Sequence, residues 1–251
     1  MDSIAVKIDN GSKEYFKKSN RTKVFEDLNL EVRNNEILIL LGPSGCGKST
    51  LLRIIAKLEK LTTGTITETG NSQIGMVFQE PLLYPWLTAE ENVQLGLDFS
   101  NNSKAKVDNN SIELLKEFGI DQVANSFPNE LSGGQAQRVT FARTLIVDPG
   151  MILLDEPFAA LDPNTRSHLQ DWLLEIKEKR NLTIVLVTHD VEEALRLADR
   201  IVLMCPNPSK ITKTWDISSL KNSGEFDHNK IKKEILQNYG PTPLALEELA
   251  Q

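Results

Sequence analysis

Long apolar runs are missing from this 251-residue chain. No uninterrupted run is longer than Ile37-Leu38-Ile39-Leu40-Leu41. A bilayer-spanning helix needs about 20 apolar residues, so no segment is expected to cross a membrane. Cysteine is scarce: Cys46 and Cys205 are the only two, too few for a disulfide framework. A surplus of positive charge is also missing, with 28 Lys and Arg against 35 Asp and Glu and a formal charge of -7. That balance disfavours a broad phosphate-neutralising surface, and no nucleic-acid partner is expected. Met1-Asp2-Ser3-Ile4 lacks the charged-then-apolar pattern of a secretory leader. A reducing, cytosolic setting fits these absences. What is present is ordinary for a globular protein, with 40% hydrophobic and 25% charged residues. The length suits one large domain, or one domain with a small lobe and a tail.

Period-two alternation at Ile4, Val6 and Ile8, and again at Leu28, Leu30 and Val32, predicts two strands with one buried face each. The polar stretch Lys17 to Thr22 between them reads as a hairpin loop, and Asn34-Asn35 as a turn. The apolar run Ile37 to Leu41 predicts a strand buried on both faces, as in a parallel sheet. A helix is expected to carry Leu51, Leu52, Ile54, Ile55 and Leu58 on one face. Short strands are expected at Thr65-Ile66-Thr67 and Met76-Val77-Phe78, and a capping box at Thr88-Ala89-Glu90-Glu91. Ser100 to Asn110 reads as a flexible connection, and Ile112 to Phe118 and Gly134 to Ile146 as helices. Then strand and helix alternate: Met151 to Leu154, Asn164 to Lys179, Thr183 to Val187, Val191 to Ala198, Ile201 to Met204. Such alternation implies an α/β fold with a parallel sheet and helical crossovers.

Three motifs carry the chemistry. Gly42, Pro43, Ser44, Gly45, Cys46, Gly47, Lys48, Ser49 and Thr50 fit G-x-x-x-x-G-K-[ST] between an apolar strand and an apolar-faced helix. In that setting the backbone N–H groups curl inward as a phosphate cradle, Lys48 reaches the β- and γ-phosphates, and the Ser49 hydroxyl can ligate Mg²⁺. Cys46, inside an anion-binding loop, is expected to be a reactive thiolate that nucleotide covers. Second, Met151 to Leu154 runs into Asp155 and Glu156. Carboxylates at the C-terminal end of a parallel strand face the ligand crevice, so Asp155 is a candidate for Mg²⁺ and Glu156 for the attacking water. Third, Leu131-Ser132-Gly133-Gly134-Gln135 opens a helix that carries Arg138 and Arg143. It is a Ser-capped helix start in its plainest reading, and an anion-facing one in its functional reading.

This order, LSGGQ between a phosphate loop and an LLDE strand, resembles the signature arrangement of ABC ATPases. The resemblance runs from about Ile4 to Met204. It implies that Gln79 is the Q-loop glutamine, Ala160-Leu161-Asp162 the D-loop and His189 the switch histidine. It also implies an aromatic ring on adenine, with Tyr15 the best match and Phe16 the alternative. Asp162 and the Ser132, Gly133, Gly134 and Gln135 group would then contact nucleotide, Gln79 would join Ser49 and Asp155 at Mg²⁺, and His189 would hold the γ-phosphate.

The segment Gln79-Glu80-Pro81-Leu82-Leu83-Tyr84-Pro85-Trp86-Leu87-Thr88 resembles importer subunits of the nitrate, sulfonate and taurine group. The expected cassette, residues 1–204, has a P-loop core with a mostly parallel sheet, an antiparallel β-lobe and a helical lobe inserted at about 81–130. Residues 205–251 form a C-terminal extension with a terminal helix near Lys230 to Tyr239. In place of the glycine and the basic turn usual in the family, this chain has Lys57 and Cys205-Pro206-Asn207-Pro208. The resemblance implies an ATP- and Mg²⁺-dependent motor at the cytoplasmic face of the cell membrane, peripheral to it. Two copies would face head to tail, each ATP lying between the phosphate loop of one and LSGGQ of the other. Two permease subunits, and indirectly a solute-binding protein, would complete an importer for a small oxyanion or sulfonate. An exporter subunit and a non-transport ABC ATPase are the alternatives. Trp86 is expected to dock on the membrane partner or, alternatively, to close the helical lobe from inside.

Overall fold

The structure, a computed structural model, describes residues 3–17, 20–69, 73–98, 110–205 and 209–239. The centre of the expected hairpin loop (Lys18, Ser19), nearly all of the expected connection (Ser100 to Asn109), the Pro206-Asn207-Pro208 turn and the last residues of the extension lie outside that set. The chain divides into two compact units, Met1–Gly70 with Thr183–Gln251, and Asn71–Leu182.

In the first unit β1 (Ile4–Lys17) and β2 (Asn20–Arg33) pair antiparallel. A further strand, Thr63–Glu68 (β4), lies on the other edge of β1. Val6, Ile8, Leu28, Leu30 and Val32 are buried, as their alternation demands. The hairpin is longer than the sequence suggests. Arg21 and Thr22 are not loop residues but pair with Phe16 and Tyr15. Their polarity misled because an edge strand needs only backbone partners to be a strand.

The sheet of this unit is built on β3 (Ile37–Leu41), every residue of which is buried. Parallel to it on either side lie β7 (Thr183–Thr188) and β8 (Arg200–Cys205). Beyond β8, Lys210–Asp216 (β9) pairs antiparallel. Helix α1 (Lys48–Ile55) follows β3 and buries Leu51, Leu52, Ile54 and Ile55. It stops before Leu58, which is exposed. The stop is a Schellman turn: Lys57 N–H donates to the Ile54 carbonyl at 3.0 Å and Leu58 N–H to the Arg53 carbonyl at 2.9 Å. Lys57 takes the left-handed φ of 62° in this turn, the conformation that glycine occupies at least cost. Further helices are α6 (Val191–Leu197), α7 (Ile217–Ser223) and α8 (His228–Asn238).

In the second unit β5 (Ile74–Val77) and β6 (Met151–Asp155) pair parallel, Val77 opposite Leu154. Around them are α2 (Ala89–Asp98), α3 (Ser111–Glu117), α4 (Gly133–Leu145) and α5 (Pro163–Arg180). The predicted box at the start of α2 is present: Thr88 N–H donates to Glu91 Oε2 at 2.8 Å and Glu91 N–H to Thr88 Oγ1 at 3.2 Å. Phe118, Phe141, Phe158 and Trp172 form an aromatic cluster, the Phe118 and Trp172 rings 4.0 Å apart. Aromatic pairs of this kind add to the free energy of simple burial. Helix α4 has no slack against its neighbours. A Cβ at Gly96 of α2 would lie 2.5 Å from the Arg143 carbonyl oxygen, and one at Gly75 of β5 2.4 Å from the Thr144 methyl. Among the described residues, no helix is long and apolar enough to cross a membrane.

Candidate functional site

The sequence-named residues fall into two groups, one in each unit. In the first unit the chain leaves β3 at Leu41 and curls through Gly42 to Gly47 into α1. Gly42 passes so close to β8 that a Cβ there would sit 2.2 Å from the Met204 carbonyl oxygen. Gly47 has φ 82°, and a Cβ on it would lie 2.7 Å from the Val24 side chain. No other residue fits either position without displacing backbone or core.

Lys48 opens the helix with its side chain 4% exposed. Its Nζ donates to the carbonyls of Gly42 at 2.6 Å and Pro43 at 3.0 Å. A buried ammonium must be satisfied in this way, and the loop's own carbonyls hold its charge beneath the curl. Cys46 is fully buried, its Sγ 3.8 Å from Lys48 Nζ. Burial pushes the thiol up from its ordinary value, and the neighbouring Lys48 charge offsets only part of that. The expected reactive thiolate is therefore corrected: Cys46 packs the underside of the loop as a neutral thiol.

His189 emerges beside this loop. Thr188, the last residue of β7, pairs in register with Leu41, the last of β3, so the two segments leave the sheet side by side at its C-terminal end. Parallel α/β sheets bind ligands at that end. The Thr188 hydroxyl accepts from Asp190 N–H at 3.0 Å, and Asp190 caps α6 by accepting from Glu193 N–H at 3.0 Å. The His189 side chain is exposed between them.

Tyr15 stands 40% exposed on β1, its hydroxyl donating to Glu59 Oε2 at 2.5 Å and its ring 4.9 Å from Lys13 Nζ. Phe16 is 70% exposed. Neighbouring strand residues point to opposite faces, so a ligand can take only one of these two rings.

In the second unit Gln79 follows β5 and is exposed, while Asp155 ends β6 nearly buried. Val77 and Leu154 are in register, so Gln79 and the Asp155-Glu156 pair leave the same end of adjacent strands. Glu156 adopts a left-handed φ of 46°. A non-glycine residue there is strained, and such strain collects at functional positions.

The Ser132 cap on α4 is reciprocal. Ser132 Oγ accepts from Gln135 N–H at 3.3 Å and Gln135 Oε1 accepts from Ser132 N–H at 2.8 Å. Ser132 and Gly133 are exposed. Asp162 caps α5 through the N–H groups of Asn164 and Thr165, both at 3.1 Å. Hydrogen bonds from the Thr165 side chain and backbone hold its carboxyl below the usual range.

Two residues of this unit carry more than their sequence context announces. Arg143 clasps the segment after Gln79, donating to the carbonyls of Leu82 and Pro81, each at 3.0 Å. Asn92 holds the turn that carries Trp86. The sequence places both on helices but gives no hint of their partners, which lie in a separate loop. Trp86 itself is 67% exposed, with the Tyr84 ring edge-on at 5.3 Å. The alternative of a Trp86 buried inside the helical lobe does not hold.

The family model described as "ABC transporter" matches residues 25–159. The aliphatic sulfonates import ATP-binding protein SsuB of Bacillus subtilis (strain 168) is 40% identical over 248 residues, 95% of this chain and 96% of that protein. Its namesake SsuB 2 from Pseudomonas syringae pv. tomato is 49% identical over 189 residues, 75% of this chain and 79% of that one. The ATP-binding cassette MJ0796, solved as a dimer in a post-hydrolysis state bound to ADP and Pi, shares the fold with a TM-score of 0.73 at 34% identity. The match covers 84% of this chain and 98% of that one. Likeness of this depth, sustained over nearly the full length, makes the chain a member of the ABC transporter family.

Proposed function

We propose that this chain is the ATP-hydrolysing subunit of a multi-chain importer for a small sulfonate or related oxyanion. The observation that carries the ATPase reading is the phosphate loop with Lys48 buried under it, emerging in register with the segment that presents His189. The loop N–H groups and Lys48 bind the phosphates, Tyr15 stacks on adenine, and the His189 ring contacts the γ-phosphate. Glu156, its backbone held in one strained conformation, orients and polarises the attacking water. Catalysis of this type is chiefly positioning and charge stabilisation.

Mg²⁺ suits the donors available. Among the described residues no three His, Cys, Asp or Glu gather into a metal cage. Mg²⁺ needs none, because it keeps waters and phosphate oxygens and takes few protein ligands. Ser49, Gln79 and Asp155 are hard oxygen donors of the right kind, and the bound ion would neutralise phosphate charge.

The dimeric cassette MJ0796 supports a homodimer; in it Ser132, Gly133, Gly134, Gln135 and Asp162 would serve the nucleotide of the partner copy. The exposed Trp86 turn suits a permease contact at the cytoplasmic face of the membrane, and the import role and solute class follow the names of the sulfonate relatives. A solute-binding protein would deliver the cargo.

Phosphate release tests the core of this reading. Turnover per chain should rise with protein concentration until dimers dominate. Lys48→Ala and Ser132→Arg chains, each inactive alone, should recover activity when mixed, because one site of the heterodimer keeps both good halves. A rate per chain that stays flat from nanomolar to micromolar would leave a self-sufficient nucleotidase instead. Co-purification with a multi-spanning membrane protein tests the transport reading, and reconstituted uptake of a sulfonate tests direction and cargo.

A further inference from the structure

The backbone of His189 is held by the chain's own C-terminal helix. The hydroxyl of Tyr239, at the C-cap of α8, donates to the His189 carbonyl at 2.9 Å. Tyr239 is buried, 5% exposed, although it lies 50 residues further along the chain. Its hydroxyl is fixed because α8 is fixed. The helix's own Ile231, Ile235 and Leu236 are buried. Glu192 of α6 accepts from Lys232 at 2.8 Å and pairs with His228 at 3.0 Å. On the other side, Glu234 accepts from Trp215 Nε1 of β9 at 3.0 Å and pairs with Lys213. At the end of the helix the Asn238 carbonyl accepts from Cys205 Sγ of β8 at 3.4 Å. The extension is thereby braced against β8, β9 and α6, and its last described residue meets the segment that carries His189.

We infer that Tyr239 is a positioning residue for ATP hydrolysis, acting through His189. The His189 carbonyl belongs to the peptide that joins His189 to Asp190. One side of that peptide is pinned by Asp190 N–H on the Thr188 hydroxyl, and the other by the Tyr239 hydroxyl. A peptide held at both its N–H and its carbonyl resists rotation, which restrains the direction in which the His189 side chain leaves the backbone. Losing one hydrogen bond frees the carbonyl to turn, and small misplacements at a reacting centre cost rate more than affinity. This inference rests on the reading of His189 as the γ-phosphate contact.

The test measures steady-state hydrolysis, nucleotide affinity and melting temperature of the full chain for three variants. Tyr239→Phe removes only the hydroxyl. It should lower kcat about fivefold, the scale of one modest hydrogen bond, with the KM for ATP within about twofold and little change in Tm. Trp215→Phe removes one of the several bonds that seat α8 and keeps the Tyr239 hydroxyl. It should lower Tm and lower kcat less than Tyr239→Phe does. His189→Gln reports on the underlying reading. If it turns over like the wild type, His189 is not the phosphate contact and the role of Tyr239 falls with it. If His189→Gln is impaired while Tyr239→Phe keeps full kcat, or loses kcat only in step with Tm, the positioning role alone is overturned.

Discussion

Asn92 holds Tyr84 through both atoms of its backbone. Tyr84 N–H donates to Asn92 Oδ1 at 2.8 Å, and Asn92 Nδ2 donates to the Tyr84 carbonyl at 3.2 Å. The same amide also reaches the carbonyls of Leu87 at 3.0 Å and Thr88 at 2.9 Å, and it is completely buried. One side chain therefore shapes the turn on which Trp86 stands outside the core.

These two residues should separate stability from assembly. Asn92→Ala strands several part-buried backbone groups and should cost about 1–3 kcal/mol in urea unfolding. Trp86→Ala should change stability by less than about 0.5 kcal/mol, as exposed substitutions do, yet weaken co-purification with the proposed permease. A large fall in the melting temperature of isolated Trp86→Ala would contradict the exposed placement.

Glu156→Gln keeps size and hydrogen bonding but removes the carboxylate. Turnover should fall about 10²- to 10⁴-fold, the range of a lost general base, while ATP affinity stays within about threefold. The variant should accumulate as a dimer in gel filtration with ATP. Hydrolysis near the wild-type rate would remove Glu156 from its assigned role.

Lys57 sits where a helix-ending turn demands a left-handed backbone, φ 62°. Lys57→Gly should raise stability by about 0.5 kcal/mol. Relief of the αL penalty, about 1–2 kcal/mol, exceeds the added entropy of glycine in the unfolded chain. The ion pair lost to Glu68 is on the surface and contributes little. A destabilised variant would show that the pair, and not the backbone, governs this turn.

The two cysteines should label in an order opposite to the one the loop motif suggests. Cys205 is half-buried and Cys46 fully buried. With maleimide, Cys205 should react first, and Cys46 should stay protected whether or not Mg-ATP is present. Rapid, ATP-sensitive labelling of Cys46 would mean that the loop opens far more readily than its packing implies.

The features legible in the sequence were those whose causes are local. Five consecutive apolar residues at Ile37 to Leu41 can only be buried on both faces, and they are. The box at Thr88 and the Ser132 cap each act over three residues, and both form. Where the cause is distant, the local residues do not announce it. Arg21 and Thr22 look like loop because their strand partners are Phe16 and Tyr15 across the hairpin. Strand β9, an edge with Lys210, Thr212, Lys213 and Thr214 on it, was hidden by the same polarity. The sequence also marks α4 as a helix bearing Arg143 but says nothing of Pro81 and Leu82, its carbonyl partners. Cys46 shows the reverse error: loop chemistry favours thiolate, and tertiary burial overrides it.

Helix α4, in its tight seat against α2 and β5, has a mechanical consequence. Its 13 residues make a rod about 20 Å long. Gly96 and Gly75 let its neighbours touch its backbone and side chains without a methyl's width between them, and close-packed interiors transmit strain instead of absorbing it. Near its C-terminal end Arg143 grips the segment leading to Trp86, and at its N-terminal end it presents Ser132. A load applied at the tryptophan turn would therefore reach a stiff element whose far end carries Ser132.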